Sequence, residues 1–246
     1  MKNKWKEIWE KRTDRFDEID MNDPKAIFLE LKRIDGFDVV GEGMSYEVLL
    51  KQNNDIIKYL SKYDNPNTIF DVGCGCGANM YLFQNEGFGI GGMDYSTAQI
   101  EIAGKLFKTY GDNLMKPLEL ICEEAINIPT DIKYDSVVAN SVFSYFEDET
   151  YAENVLNKIL LKAKKSIGLI DLHDIEKKDA FEEYRRKTID DYEVKYKDLH
   201  KFFYRREFFY NWAVKNGLEI EFHNSQVEGY WNNEFVFDVY MYKSMK

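Results

Sequence analysis

The stretch 68–79, reading TIFDVGCGCGAN, constrains this chain more than any other. Thr68, Ile69, Phe70 and Val72 are β-formers and read as a buried strand. Gly73, Gly75 and Gly77 then alternate with Cys74 and Cys76, and Ala78-Asn79 leads into Met80, Tyr81, Leu82 and Phe83, which read as a helix. A strand, a tight glycine turn and a helix make the first half of a mononucleotide-binding βαβ unit. Without a Cβ, the glycines let the backbone lie against a ligand and take positive φ. The spacing Gly73-x-Gly75-x-x-Ala78 also fits the dinucleotide fingerprint, so the glycines alone do not choose a ligand. Asp71 does, two residues before the first glycine. A carboxylate there repels a pyrophosphate and holds a ligand that carries an ammonium group.

The alternation of strand and helix continues downstream. Residues 88–93 read as a second strand ended by Asp94, which lies 21 residues beyond Gly73. Nucleotide-binding α/β folds place a ribose-binding carboxylate there. The other reading of Asp94 is a helix N-cap, a job that Ser96 or Thr97 could also do. Tyr95 stands beside it. Residues 97–110 form the next helix, ended by Gly111. Strands follow at 118–122, 134–140 and 166–172, with a helix between the last two whose stripe is Tyr151, Val155, Leu156, Ile159, Leu160 and Ala163. Residues 218–223 and 234–242 are the sixth and seventh strands. The seventh follows a short connection with no helix, so it runs antiparallel.

An acidic residue followed by GxGxG resembles the first motif of the class I methyltransferases that use S-adenosylmethionine (SAM). The antiparallel finish resembles their sheet, which standard dehydrogenases lack. The resemblance implies that Asp71 holds the ammonium of SAM, that Gly73, Cys74, Gly75 and Gly77 form its cradle, and that Asp94 and Tyr95 meet the ribose. Glu124-Ala125 opens an acidic-Ala-x-x-hydrophobic-Pro run ending at Pro129. In that family the carboxylate accepts from the adenine amine and the next N–H donates to a ring nitrogen. Glu124 replaces the commoner aspartate, and a solvated acidic loop is the alternative. Asn140, at the end of the fourth strand, borders the methyl group. The product of SAM is S-adenosylhomocysteine (SAH). The implied fold is a Rossmann-like three-layer sandwich: a seven-stranded, mostly parallel sheet with an antiparallel last strand, an N-terminal helical cap and a helical insertion after strand 5.

Further resemblances cover most of the chain. The DGFD loop at 35–38, SVFSYF at 141–146, DLHD at 171–174, the aromatic-Tyr-Arg-Arg start near 203 and GYWNNEFVFDVYM at 229–241 resemble small-molecule methyltransferases of bacterial capsule and surface-polysaccharide loci. Related sequences read FRFN in the final strand. Here Val236 and Asp238 replace the arginine and the final asparagine, so any anion contact from that arginine is absent.

One domain over 1–246 is expected, with a helical cap at 1–64, a core at 65–175 and 218–246, and a substrate-side insertion at 176–217. In the cap, Trp5, Ile8 and Trp9 share one helix face, Ala26, Leu29 and Ile34 another, and residues 46–63 a third helix. These helices either cover the sheet or close over the ligand. Residues 35–43, with Gly36, Gly41 and Gly43, read as a loop.

Catalytic candidates gather at the end of the fifth strand, where active sites of such sheets lie. His173 is the first choice of general base, assisted by Asp171 or Asp174, with Tyr230 as another candidate. The activity implied is methyl transfer to an oxygen of a small sugar-like or phosphorylated metabolite. An amine acceptor is the alternative, and a nicotinamide-dependent oxidoreductase a more distant one. Arg185-Arg186 and Arg205-Arg206 could hold an anionic substrate tail or form ordinary salt bridges.

A net charge of −11 argues against broad contact with nucleic acid or an anionic membrane. Cys74, Cys76 and Cys122 show no zinc-type spacing, no metal is expected, and an odd count of free thiols fits a reducing compartment. No long apolar run or signal peptide is evident, so a soluble cytoplasmic protein is expected. The oligomeric state is open.

Overall fold

A computed structural model describes residues 4–37, 44–109 and 115–244. The expected loop positions Asp38, Gly41 and Gly43, and the helix end at Tyr110 and Gly111, lie outside these residues.

Strand β1 (Thr68–Val72) is central, and its register is set by the alternation of its side chains. Ile69 packs on one face of the sheet, Phe70 and Val72 on the other. Asp71 therefore points to the face of Ile69. The other strands are β2 (Gly89–Asp94), β3 (Glu119–Cys122), β4 (Tyr134–Asn140), β5 (Ala163–His173), β6 (Leu218–Asn224) and β7 (Val236–Lys243). They form one seven-stranded sheet in the order β3-β2-β1-β4-β5-β7-β6, with β7 antiparallel to both neighbours. The order reverses between β1 and β4, which opens a crevice at the carboxyl ends of those strands.

Helices α2 (Pro24–Ile34), α3 (Tyr46–Leu60), α4 (Ala78–Asn85) and α5 (Thr97–Thr109) cover the Ile69 face. Helices α6 (Glu149–Lys162) and α9 (Arg206–Lys215) cover the Phe70 face. Helix α1 (Lys4–Trp9) buries no residue fully. Helices α7 (Lys178–Thr188) and α8 (Tyr192–Lys195) belong to the insertion, where Phe181, Phe203 and Phe235 form a third apolar cluster.

Two expectations change, and one feature of β7 lies beyond them. The buried face of α2 is Ile27, Phe28, Leu31 and Ile34 rather than Ala26, Leu29 and Ile34. The helical insertion expected at 176–217 is interrupted, because Asp191 takes φ 57° and divides its charged first part, and residues 201–205 run extended into α9. Strand β7 is buried on both faces. Phe237, Val239 and Met241 face α9, and Tyr240 and Tyr242 face α3, because β6 lies outside it. No helix among the described residues is long and apolar enough to cross a membrane.

Candidate functional site

The glycine turn is built by backbone demands. Gly73, Gly75 and Gly77 have φ of 72°, 54° and 91°. A Cβ on Gly73 would stand 2.5 Å from Val142 Cγ2, and one on Gly75 2.5 Å from Asp35 Oδ1. The N–H groups of Gly73 and Cys74 donate to Met93 O at 2.7 and 2.9 Å, which ties the turn to β2. Cys74 is buried beneath it, where desolvation holds its thiol protonated.

Asp71 is 1% exposed, and neither carboxylate oxygen has a hydrogen-bond partner of normal geometry. Burial pushes its pKa up to about 8, against the pull of the Lys32 ammonium and with the push of Asp35. Lys32 is buried on α2 and donates to Asn79 Oδ1 at 3.3 Å. Burial lowers its own pKa, opposed by the surrounding carboxylates, Asp35 first. Asp35 ends α2 and turns back over the glycine turn, where Oδ1 accepts from the N–H and the thiol of Cys76, both at 3.3 Å. Sequence reasoning missed Lys32 and Asp35. For Lys32 the signal was its place among Phe28, Leu31 and Ile34, and for Asp35 it was the DGFD loop that it opens.

Asp94 caps two backbone groups. Gly75 N–H donates to Oδ2 at 3.1 Å and Ser96 N–H to Oδ1 at 2.8 Å. Burial raises its pKa to about 6 despite those bonds. Tyr95 is half-buried under Lys6, whose Nζ lies 5.5 Å from the ring centre. Glu124 is half-buried, with Tyr151 OH 3.5 Å from Oε2, and Ala125 opens a 3-10 turn to Asn127. Asn140 ends β4 and accepts from Ser141 Oγ at 3.2 Å. These expected cofactor residues all lie at the carboxyl edge, on strands β1 to β4 or the turns after them.

A second group sits beside them at the end of β5. Asp171 and Ser141 hold φ of 63° and 59°, a left-handed backbone costly for residues with a Cβ. Ser141 Oγ donates to Asp171 Oδ2 at 2.7 Å, and Tyr230 OH and Asn232 Nδ2 donate to Oδ1 at 3.0 and 3.2 Å. Asp238 accepts the Asp171 N–H at 2.9 Å, and burial raises its pKa to about 7. Burial also raises Asp171, against these donors and Lys201.

His173 is placed differently from a pocket base. It is 2% exposed, with its ring 5.0 Å from Phe181 and 5.1 Å from Phe203. Nε2 meets Asn232 Nδ2 at 3.2 Å and Nδ1 is buried without a partner. Burial holds its pKa well below the usual range, so the ring stays neutral and behind Asn232. Asp174 holds structure: Oδ1 accepts from Glu176 N–H at 3.0 Å and Oδ2 faces Arg206 at 3.4 Å. Lys201, absent from the expected set, donates to Ser144 Oγ at 3.1 Å with Nζ 3.3 Å over the Tyr145 ring.

The N-terminal segment spans the mouth. Trp5 Nε1 donates to His200 O at 3.1 Å, and Trp5 and Trp9 pack edge-on to Tyr145 at 4.9 and 6.1 Å. Glu10 then accepts the N–H groups of Thr97 and Ala98 at 2.9 and 3.2 Å, at the start of α5.

Residues 70–166 match a family described as a methyltransferase domain. No curated protein matches the chain. Among solved structures, the magnesium protoporphyrin IX methyltransferase from Synechocystis PCC 6803 with bound SAM is similar at 15% identity, with 90% of this chain and 98% of that one covered and a TM-score of 0.59. The plantazolicin methyltransferase BpumL, in complex with a pentazolic desmethylPZN analog and SAH, is similar at 17% identity, with 99% of both chains covered and a TM-score of 0.62. The small RNA methyltransferase HEN1 is similar at 17% identity over 80% of this chain and 25% of that one, with a TM-score of 0.59.

Proposed function

We propose that this chain, whose residues 70–166 match a family described as a methyltransferase domain, is a SAM-dependent methyltransferase acting on an oxygen of a small sugar-like or phosphorylated acceptor. One observation carries the cofactor: the orphaned, buried carboxylate of Asp71 beside a turn that only glycine fits. A buried acid without partners is costly unless a cation meets it. The ammonium of SAM is such a cation, whereas the Asp71 carboxylate would repel a pyrophosphate. Asp94 takes the ribose hydroxyls, with Tyr95 alongside. Glu124 and the Ala125 N–H take the adenine, and Asn140 borders the methyl. Lys32 meets the carboxylate end of the methionine.

When bound, SAM supplies a methyl carbon made electrophilic by its sulfonium. The protein's share is alignment and exclusion of water. The strap from Trp5 to Glu10 and the Tyr145 ring close the cleft. An alcohol acceptor must lose its proton as the new bond forms, and Asp171 receives it, with Tyr230 fixing the acceptor oxygen. Burial raises the pKa of Asp171, which favours its taking up a proton. His173 supports this corner through Asn232, and Asp174 anchors the strand end. The resemblance to methyltransferases of surface-polysaccharide loci supports a sugar-like acceptor.

The test is mass spectrometry of products from protein, SAM and a panel of nucleotide sugars, sugar phosphates and amino sugars. An O-methylated product with stoichiometric SAH is expected; methylation only on nitrogen overturns the oxygen assignment. Asp171→Asn is expected to lower kcat by about 100-fold or more with SAM affinity unchanged. His173→Ala should lower it less. The reverse ranking returns the base to His173.

A further inference from the structure

Two arginine pairs lie between β5 and β6, and their partners separate them. Arg186 pairs with Glu193 at 2.6 Å and Glu182 at 3.0 Å. Arg206 meets Asp174 at 3.4 Å and Asn224 at 3.0 Å. Arg205 is exposed. Arg185 is the exception: among the described residues no carboxylate comes within ion-pair distance of it. Its guanidinium stands over aromatic rings instead, 4.6 Å from Tyr196, 5.2 Å from Trp231 and 5.6 Å from Tyr192. Its Nε is buried without a hydrogen-bond partner.

Lys201 is the second unusual cation. Its Nζ lies over the Tyr145 ring and is held by Ser144, a neutral hydroxyl. The charge of Arg185 is felt at Lys201, Tyr145 and His173, so the two cations act on one space. Burial and Arg185 together bring Lys201 down to about 7, although Asp171 pulls the other way. Asp171 is the carboxylate that acts on Lys201, and three donors already share its charge.

A chain of net charge −11 has carboxylates enough to neutralise every arginine. A guanidinium or ammonium that faces rings keeps N–H donors for a ligand, since the ring supports the charge without accepting all of them. We infer that the methyl acceptor carries an oxyanion, a carboxylate or a phosphate, which seats between Arg185 and Lys201 while its reacting oxygen reaches Asp171 and Tyr230. This rests on the methyltransferase reading and names the class of acceptor it requires. Phosphate and carboxylate share the chemistry of a bidentate contact to guanidinium.

The test uses the full-length protein saturated with SAH and isothermal titration with four probes: inorganic phosphate, glucose 6-phosphate, glucuronate and glucose. At least one anionic probe is expected to bind ten-fold or more tighter than glucose. The stronger of the sugar probes then tells phosphate from carboxylate. Arg185→Gln and Lys201→Met should each abolish the preference with SAH affinity unchanged, while Arg185→Lys, which keeps the charge, retains part of it. Equal binding of all four probes, no binding of any anion, or a preference that survives Arg185→Gln overturns the inference. Failure of the wild type to bind SAH at all overturns the methyltransferase reading, and the inference with it.

Discussion

Asp71 shows how one side chain can be legible in sequence while its energetics are not. Its place before the glycines marks it as a ligand contact, but only the fold shows that both oxygens are buried without a hydrogen bond of normal geometry. Its pKa near 8 and that of Asp94 near 6 mean that the folded protein keeps protons which the unfolded chain releases near 4. The stability these groups contribute is therefore full below about pH 4 and is lost as pH rises through the folded values. An ammonium ligand favours the ionised form, so SAM affinity is expected to strengthen between pH 6 and 8. Asp71→Asn should flatten both profiles and weaken SAM binding by about 100-fold, as loss of a charge-assisted contact costs about 1.5–3 kcal/mol. Calorimetric titration at three pH values checks this; an unchanged slope in the variant sinks it. Lys32 and Asp35 were not legible, because a helix period says which residues share a face but not what that face meets.

The glycine turn is the element whose sequence and structure agree most closely, since its backbone leaves little choice of residue. Gly73→Ala forces a left-handed backbone on a residue with a Cβ and drives it into Val142. About 2–4 kcal/mol of lost stability is expected from the two effects. Gly217 is the control: it has φ 67°, but nothing lies within 4 Å of its added Cβ. Gly217→Ala should cost only the conformational part, about 1–2 kcal/mol. Urea midpoints of the two variants should differ in that order, and equal midpoints remove the close-packing argument. The insertion was least legible. Its sequence reads as helical, whereas Asp191 breaks the charged part and residues 201–205 are drawn out to bring Tyr204 into the core.

At the scale of the molecule, the strand count and the antiparallel β7 followed from spacing and connection length. The position of β7 inside the sheet did not, because its two faces carry different apolar residues that both look core-like in sequence. The strap was also beyond reach. Glu10 meets the start of α5 across 87 residues of sequence, and nothing local marks it as a cap. A carboxylate at a helix start contributes about 0.5–2 kcal/mol. Glu10→Ala is expected to speed SAH release several-fold in a stopped-flow chase while leaving the bound spectrum intact, and an unchanged off-rate argues that the strap is mere cover. If the latch must let go once in every cycle, traffic through the doorway rather than making the new bond sets the tempo of turnover. The pace then depends on a glutamate whose recorded partners are the first backbone N–H groups of α5.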